Sequence, residues 1–221
     1  MVDLITSKMD ENEDISNRKR KRSKIMLVAR DIFSKYGYKK TNMVDIANAM
    51  GINQANLYYY FDNQKQIKDQ IFLDCFTNEM REFRTQIIHI MDENTAIQEK
   101  LTNFYVFKLD YTLSSEIIKQ FYQTFDFKRI PKVKRKEISE LLDMERSFIK
   151  KVLIEATKKG EVKSMEDEEI GKISQILINQ YLGIRYQNQV NYFLSDIKPD
   201  LDEMKGQLRT AIEYIFQNIM V

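Results

Sequence analysis

Six glycines and two prolines are spread through 221 residues. Sheets and loop-rich folds need turn residues at fixed places, because tight turns call for positive φ or for a preset φ. Long helices need few. The scarcity therefore points to an all-α chain with well-separated breaks. Hydrophobic residues make up 43% of the chain, enough to bury a core and to exclude wholesale disorder. The one cysteine, Cys75, excludes an intrachain disulfide framework and a cysteine-built metal cluster. It stands among apolar residues, where a thiol behaves as a small buried hydrophobe. Met1 to Asp14 is mostly polar or acidic and lacks the apolar core of a signal peptide. No uncharged apolar run is long enough to cross a bilayer, so a cytoplasmic protein without a membrane partner is expected.

The net charge of +2 says little, but its distribution says more. Asp3, Asp10, Glu11, Glu13 and Asp14 precede a basic run of Arg18, Lys19, Arg20, Lys21, Arg22 and Lys24. Such a run is a solvated tail or helix face on one reading and a phosphate-binding arm on the other. Residues 1–17 show little periodicity and are read as a flexible N-terminal arm.

Periodicity begins after the arm. Ile25, Val28, Ala29, Ile32 and Phe33 share one face of a first helix, and Gly37 offers a left-handed stop. Asn42 is the expected N-cap of a short second helix, with Asp45 closing a capping box and Ile46, Ala47 and Met50 inside. Gly51 breaks that helix, Ile52 plugs the corner, and Asn53 caps a third helix running through Leu57 and Phe61. Asp62 and Asn63 mark the next break. Three short helices with a tight glycine turn between the second and third make a helix-turn-helix layout. Residues 18–63 are therefore assigned to a DNA-binding domain and 64–221 to a helical regulatory and dimerisation domain. Within the latter, amphipathic spacing predicts helices to about Met91, over about Thr95–Tyr111, Ser114–Phe125, Val133–Lys159 and Asp167–Leu194, and from Leu201 to the C-terminus.

The segment Ala29–Ile67 resembles the DNA-binding domain of TetR-family transcriptional regulators. Ala29, Phe33, Gly37, Tyr38, Thr41, Asp45, Ile46, Ala47, Gly51, Leu57, Tyr58 and Phe61 carry the likeness. It covers about a fifth of the chain, and the later helices agree with the family's variable domain in number and order. Two positions depart: Tyr60 stands where many members have His, and Gln64 where many have Lys, with Lys65 adjacent. The resemblance implies that the third helix enters the major groove of an operator. It also implies that the last two helices form a homodimer and that a small-molecule effector in the C-terminal domain controls release. Repression is the family's default.

The residue types of the third helix suit that role independently. Asn53, Gln54 and Asn56 are amides able to pair bidentately with adenine, and Ala55 is small enough to approach a thymine methyl. Tyr58, Tyr59 and Tyr60 fan around the helix, forming a half-buried aromatic cluster or offering hydroxyls to phosphates. Thr41 and Asn42 open the second helix, as a simple cap or as a phosphate contact at its positive dipole end. Lys65 completes the expected DNA-contacting set. A two-fold dimer would set paired recognition helices about 34–36 Å apart on a pseudo-palindrome. The apolar stripes of the last two helices suit that surface or the protomer's own core.

The C-terminal domain is rich in aromatics, which suits an apolar or amphipathic effector. Phe107, Tyr111, Phe121, Tyr122, Tyr181 and Arg185 are the candidate wall residues. Catalysis is not expected. The single histidine, His89, lies on a helix among apolar neighbours, and the chain has no phosphate-binding glycine loop, nucleophile elbow or metal-ligand spacing. No cofactor is expected.

Overall fold

The computed structural model describes residues 2–61, 66–92 and 94–220, with side chains from Ser16 onward apart from those of residues 91 and 92. The described residues form nine α-helices: α1 (Val2–Tyr36), α2 (Met43–Met50), α3 (Gln54–Tyr58), α4 (Ile67–Asp92), α5 (Ile97–Ser114), α6 (Glu116–Gln123), α7 (Lys132–Lys159), α8 (Asp167–Ser195) and α9 (Leu201–Gln217). A 3₁₀ turn at Phe127–Arg129 joins α6 to α7. An all-α fold is thus observed, with the short helices near the N-terminus and the long ones after them. Among the described residues, no helix is long and apolar enough to cross a membrane.

Two sequence expectations need correction. Helix α1 begins at Val2, where an irregular arm over residues 1–17 was expected. The chain has neither glycine nor proline before Gly37, and Asp3 stands in the first turn and Lys35 in the last, the placement the helix dipole favours. Those features support helix where apolar periodicity is silent. Helix α3 stops at Tyr58 instead of running through Phe61. Tyr60 N–H donates to Leu57 O at 3.2 Å and Phe61 N–H to Tyr58 O at 3.2 Å, so the end tightens into i→i−3 turns.

The described chain divides into two compact units, residues 1–80 with 115–135 and residues 81–114 with 136–221. The first therefore includes α6 and the start of α4 as well as the three N-terminal helices. Its core is aromatic. Phe72 meets Phe33 edge-on at 5.3 Å between centroids, Tyr38 at 4.6 Å and Phe125 in a stack at 5.4 Å. Phe76 stacks on Phe121 at 3.6 Å. Gly37, at φ +85°, turns the chain at the end of α1 so that Tyr38 drops into this core. The buried Tyr38 hydroxyl donates to Asp69, whose other oxygen meets Arg129 at 2.8 Å. Burial first, and the Asp69 carboxylate second, push the Tyr38 phenol above its ordinary range.

Gln120, on α6, closes the same corner. Its side-chain N–H donates to Phe33 O at 2.8 Å, and its Oε1 accepts the Tyr38 backbone N–H at 2.6 Å. One amide thus satisfies two backbone groups where α1 ends.

In the second unit, α9 packs against both α5 and α8. Leu101, Phe104, Leu109, Ile149, Leu153 and Leu208 are buried there. Lys205 reaches Asp110 at 2.7 Å. Lys163 N–H donates to Ile219 O at 2.8 Å, tying the loop before α8 to the chain's end.

Replacing Gln120 with Leu keeps the volume but leaves the Tyr38 N–H buried without a partner, while Phe33 O keeps the Gly37 N–H at 2.9 Å. Urea unfolding should show a loss of about 1–3 kcal/mol, the cost of one orphaned buried group.

Candidate nucleic-acid interface

Helix α2 is held at both ends by local chemistry. The Asn42 side chain accepts from Asp45 N–H at 2.9 Å, and the Asp45 carboxylate accepts from Asn42 N–H at 2.8 Å, which is a complete capping box. Gly51 closes it at φ +67° with left-handed geometry. Two residues later, Asn53 caps α3 by accepting from Asn56 N–H at 2.7 Å. Leu57 and Phe61 are buried and face inward, as their four-residue spacing requires.

This geometry sorts the expected DNA-contacting residues. Ala55, Asn56 and Tyr59 are exposed, Tyr59 at 62%. Asn53 is exposed too, with its side-chain oxygen engaged as the cap. Gln54 is half-buried and its amide N–H donates to the Tyr58 hydroxyl at 2.6 Å, one turn along the helix. Tyr60 is half-buried, with its ring 5.4 Å from that of Tyr59. Asn42 is exposed at the start of α2. Thr41 is turned inward, only 2% exposed, and its hydroxyl donates to Gly37 O at 2.9 Å. Lys65 lies outside the described residues.

The basic run has a place that its charge alone did not reveal. It is the exposed outer part of α1, and one of its faces runs along the end of α3. The Arg18 guanidinium lies 5.4 Å from the Tyr59 ring centroid and donates to Tyr59 O at 3.2 Å. The Lys21 ammonium lies 5.9 Å from the Tyr60 ring, and the Arg22 guanidinium 5.1 Å from the Phe61 ring. Arg22 is anchored in turn by Asp74 at 2.8 Å, and Asp74 also meets Lys134 at 2.7 Å. Three successive aromatic rings are therefore each matched to a cation. Residues 18, 21, 22, 25 and 29 lie on one helical face, so the ladder continues the apolar stripe of Ile25 and Ala29. That spacing was the available signal, masked by reading the run as undirected charge. Lys19, Arg20 and Lys24 are exposed beside it.

The candidate effector-wall residues fall in both units. Phe107 and Tyr111, on α5, pack with Phe83 at 5.6 and 5.1 Å. Phe121 and Tyr122 belong to the first unit, Phe121 buried against Phe76 and Tyr122 exposed. Tyr181 is buried on α8, with the Arg185 guanidinium 5.8 Å from its ring.

Two short capped helices joined at a left-handed glycine, the second offering amides and phenols to solvent beside a basic helix, define a helix-turn-helix protein. Residues 25–73 match the model of bacterial regulatory proteins, tetR family, so the match covers the helix-turn-helix segment and the start of α4. It is 25% identical over 93 residues to the HTH-type transcriptional repressor KstR2 of Rhodococcus jostii, a match covering 42% of this chain and 46% of that protein. It is 42% identical over 55 residues to the negative transcriptional regulator of the biofilm operon, IcaR, of Staphylococcus aureus, covering 25% of this chain and 30% of that one. The chain thus matches less than half the length of either relative. Its fold is that of a transcriptional regulator from Cytophaga hutchinsonii, with a TM-score of 0.72, 18% identity and coverage of 91% and 99% of the two chains.

Substituting Arg18 and Arg22 together with Gln should loosen the end of α3 without unfolding the chain. Hydrogen exchange at the Tyr60 and Phe61 amides should speed up about tenfold or more, in line with loss of cation–π contacts worth about 0.5–1 kcal/mol each at exposed sites.

Proposed function

We propose that the chain is an operator-binding regulator of transcription that acts as a homodimer and represses until a small-molecule effector releases it. The observation that carries this reading is the exposed row Ala55, Asn56 and Tyr59 on a short helix whose other side is buried and whose end is braced by cations. Amides and a methyl group on such a helix suit base edges in the major groove, and the exposed lysines and arginines of α1 suit phosphates. Gln54 would exchange its bond with Tyr58 for a base or phosphate. Thr41 acts by holding the turn before α2, and Asn42 offers the helix start to a phosphate. Lys65 remains in the proposed contact set by its sequence position.

Homodimerisation is supported by the outer face of α8 and α9. An open groove of about 1110 Å³ there is lined by Ile173, Ile176, Ile184, Ala211, Tyr214 and Ile215, among others. Ile176, Leu182 and Tyr214 are large apolar side chains left exposed on these helices. A second copy of the same face would cover them with matching apolar surface. Repression is supported by the two relatives named as repressor and negative regulator. An apolar or amphipathic effector suits the aromatic character of the second unit, where Phe107, Tyr111, Tyr181 and Arg185 remain candidate contacts. Release requires only that the effector bind one conformer better than the other.

Selection of bound duplexes from a random DNA pool should return a pseudo-palindrome. Asn56→Ala should relax the preference at one position per half-site by about 1–3 kcal/mol, while Tyr59→Ala should weaken every site in a gel-shift titration. Affinity should fall steeply with salt. A monomer by light scattering at micromolar concentration, or a pool with no enriched sequence, would remove this reading.

A further inference from the structure

In the second unit, the Lys108 side chain of α5 turns away from solvent. Its ammonium lies 3.8 Å from the ring centroid of Tyr181 on α8 and 5.7 Å from that of Tyr105 on α5. It is ion-paired with Glu145 on α7, and the two side chains are only 12% and 15% exposed. The Tyr181 hydroxyl is hydrogen-bonded to Thr112 at 2.8 Å, which fixes the ring. Arg185 approaches the same ring from its own helix. Two phenol faces and a carboxylate around an ammonium form an aromatic box of the kind that recognises alkylammonium groups. Here the occupant is the chain's own lysine.

As a device for stability the arrangement is poor. A buried ion pair recovers its desolvation cost only when its remaining polar atoms are satisfied. Glu145 also faces the Tyr105 phenol, which burial first and that carboxylate second push above its ordinary range, yet neither Glu145 Oε1 nor the hydroxyl makes a hydrogen bond of full geometry. Burial lowers the proton affinity of Lys108, and Glu145 opposes that shift. A buried ion pair whose ammonium lies between two aromatic rings is a better binding site than a piece of core.

We propose that this box is an effector subsite for a hydrophobic organic cation, a substituted ammonium, which displaces the Lys108 head group. The proposal rests on the reading of the chain as an effector-released regulator and names the chemistry of that effector. Exchange of one cation for another conserves the charge of the box. An anionic head group would instead face Glu145 and the negative faces of two tyrosines. A quaternary ammonium has no N–H donors to satisfy, fills the box by contact and keeps Glu145 as its counter-ion. The long lysine stem lets Lys108 swing its ammonium to water while its methylenes stay packed. Lys108 thereby acts as a built-in competitor that plugs the box when no effector is present.

The test titrates the full chain with tetramethylammonium chloride against sodium chloride at equal ionic strength. Calorimetry gives affinity and a melting scan gives stabilisation. Lys108→Ala empties the box, so the variant should bind tetramethylammonium about tenfold or more tighter than the parent. Its melting temperature should rise by about 2–4 °C with the cation and not with sodium. Lys108→Met, which keeps the volume of the stem, should show the same gain if the alanine variant folds badly. Adding Tyr181→Leu to either should abolish it. Equal affinity in parent and both Lys108 variants, equal stabilisation by sodium, or preferential binding of hexanoate overturns the proposal. A gel shift on the selected operator, run with the parent, separates the two claims. Operator binding without cation binding in any variant overturns the subsite alone. Cation binding that follows the Lys108 pattern supports the box even if no duplex is bound, in which case the regulator reading fails instead.

Discussion

The Tyr38 ring packs on the stacked pair Phe72 and Phe125, at 4.6 and 5.3 Å between centroids, and the first unit is organised around that contact. Burying a ring of this size is worth about 1.5–3 kcal/mol, but the phenol and its backbone N–H go in with it. Each then needs a partner. The hydroxyl finds Asp69 on α4, and Asp69 finds Arg129 in the 3₁₀ turn. The backbone N–H finds Gln120 on α6. One aromatic side chain thus recruits three other segments through the polar atoms it carries inward. The left-handed Gly37 just before it supplies the turn this burial requires.

Helix α3 depends on this scaffold. Five residues are far too few for a helix to persist in water, because nucleation costs more than so short a run returns. It exists because Asn53 caps it, Leu57 and Phe61 bury its inner side, and Arg18, Lys21 and Arg22 stack on the rings at its end. A recognition element held this way loses less freedom on binding than one that must order itself. The basic stretch of α1 thus has a structural role inside the protein in addition to the charge it presents outside.

The second unit sets a different balance. Phe83, Phe107 and Tyr111 form an ordinary aromatic cluster that needs no polar partners beyond the phenol. Close to the same helix's middle, Lys108 and Glu145 carry opposite charges into a region of little exposure. Such a pair adds little net stability compared with apolar residues of similar size. Its consequence is chemical, since it holds an ammonium by two aromatic rings with a carboxylate as counter-ion.

What could be read from the amino-acid order was local. The Asn42–Asp45 box, the Gly51 turn and the Asn53 cap depend on residues three or fewer apart, and the structure shows each where spacing placed it. The amphipathic helices α4 to α9 were equally legible, because a period of 3.6 is a property of the chain itself. The start of helix α1 was not legible, because a charged segment carries no apolar period even when nothing prevents it from coiling. Only the tertiary structure decided that Arg18 would meet Tyr59 across 41 residues, that Gln120 would close a corner 87 residues from Phe33, and that Lys108 would lie on Tyr181. It also assigned Phe121 and Tyr122 to the first unit and Phe107, Tyr111, Tyr181 and Arg185 to the second. Helical periodicity says which residues share a face. It does not say which faces meet, because that is settled by packing distant segments to fill volume and satisfy every buried polar atom at once.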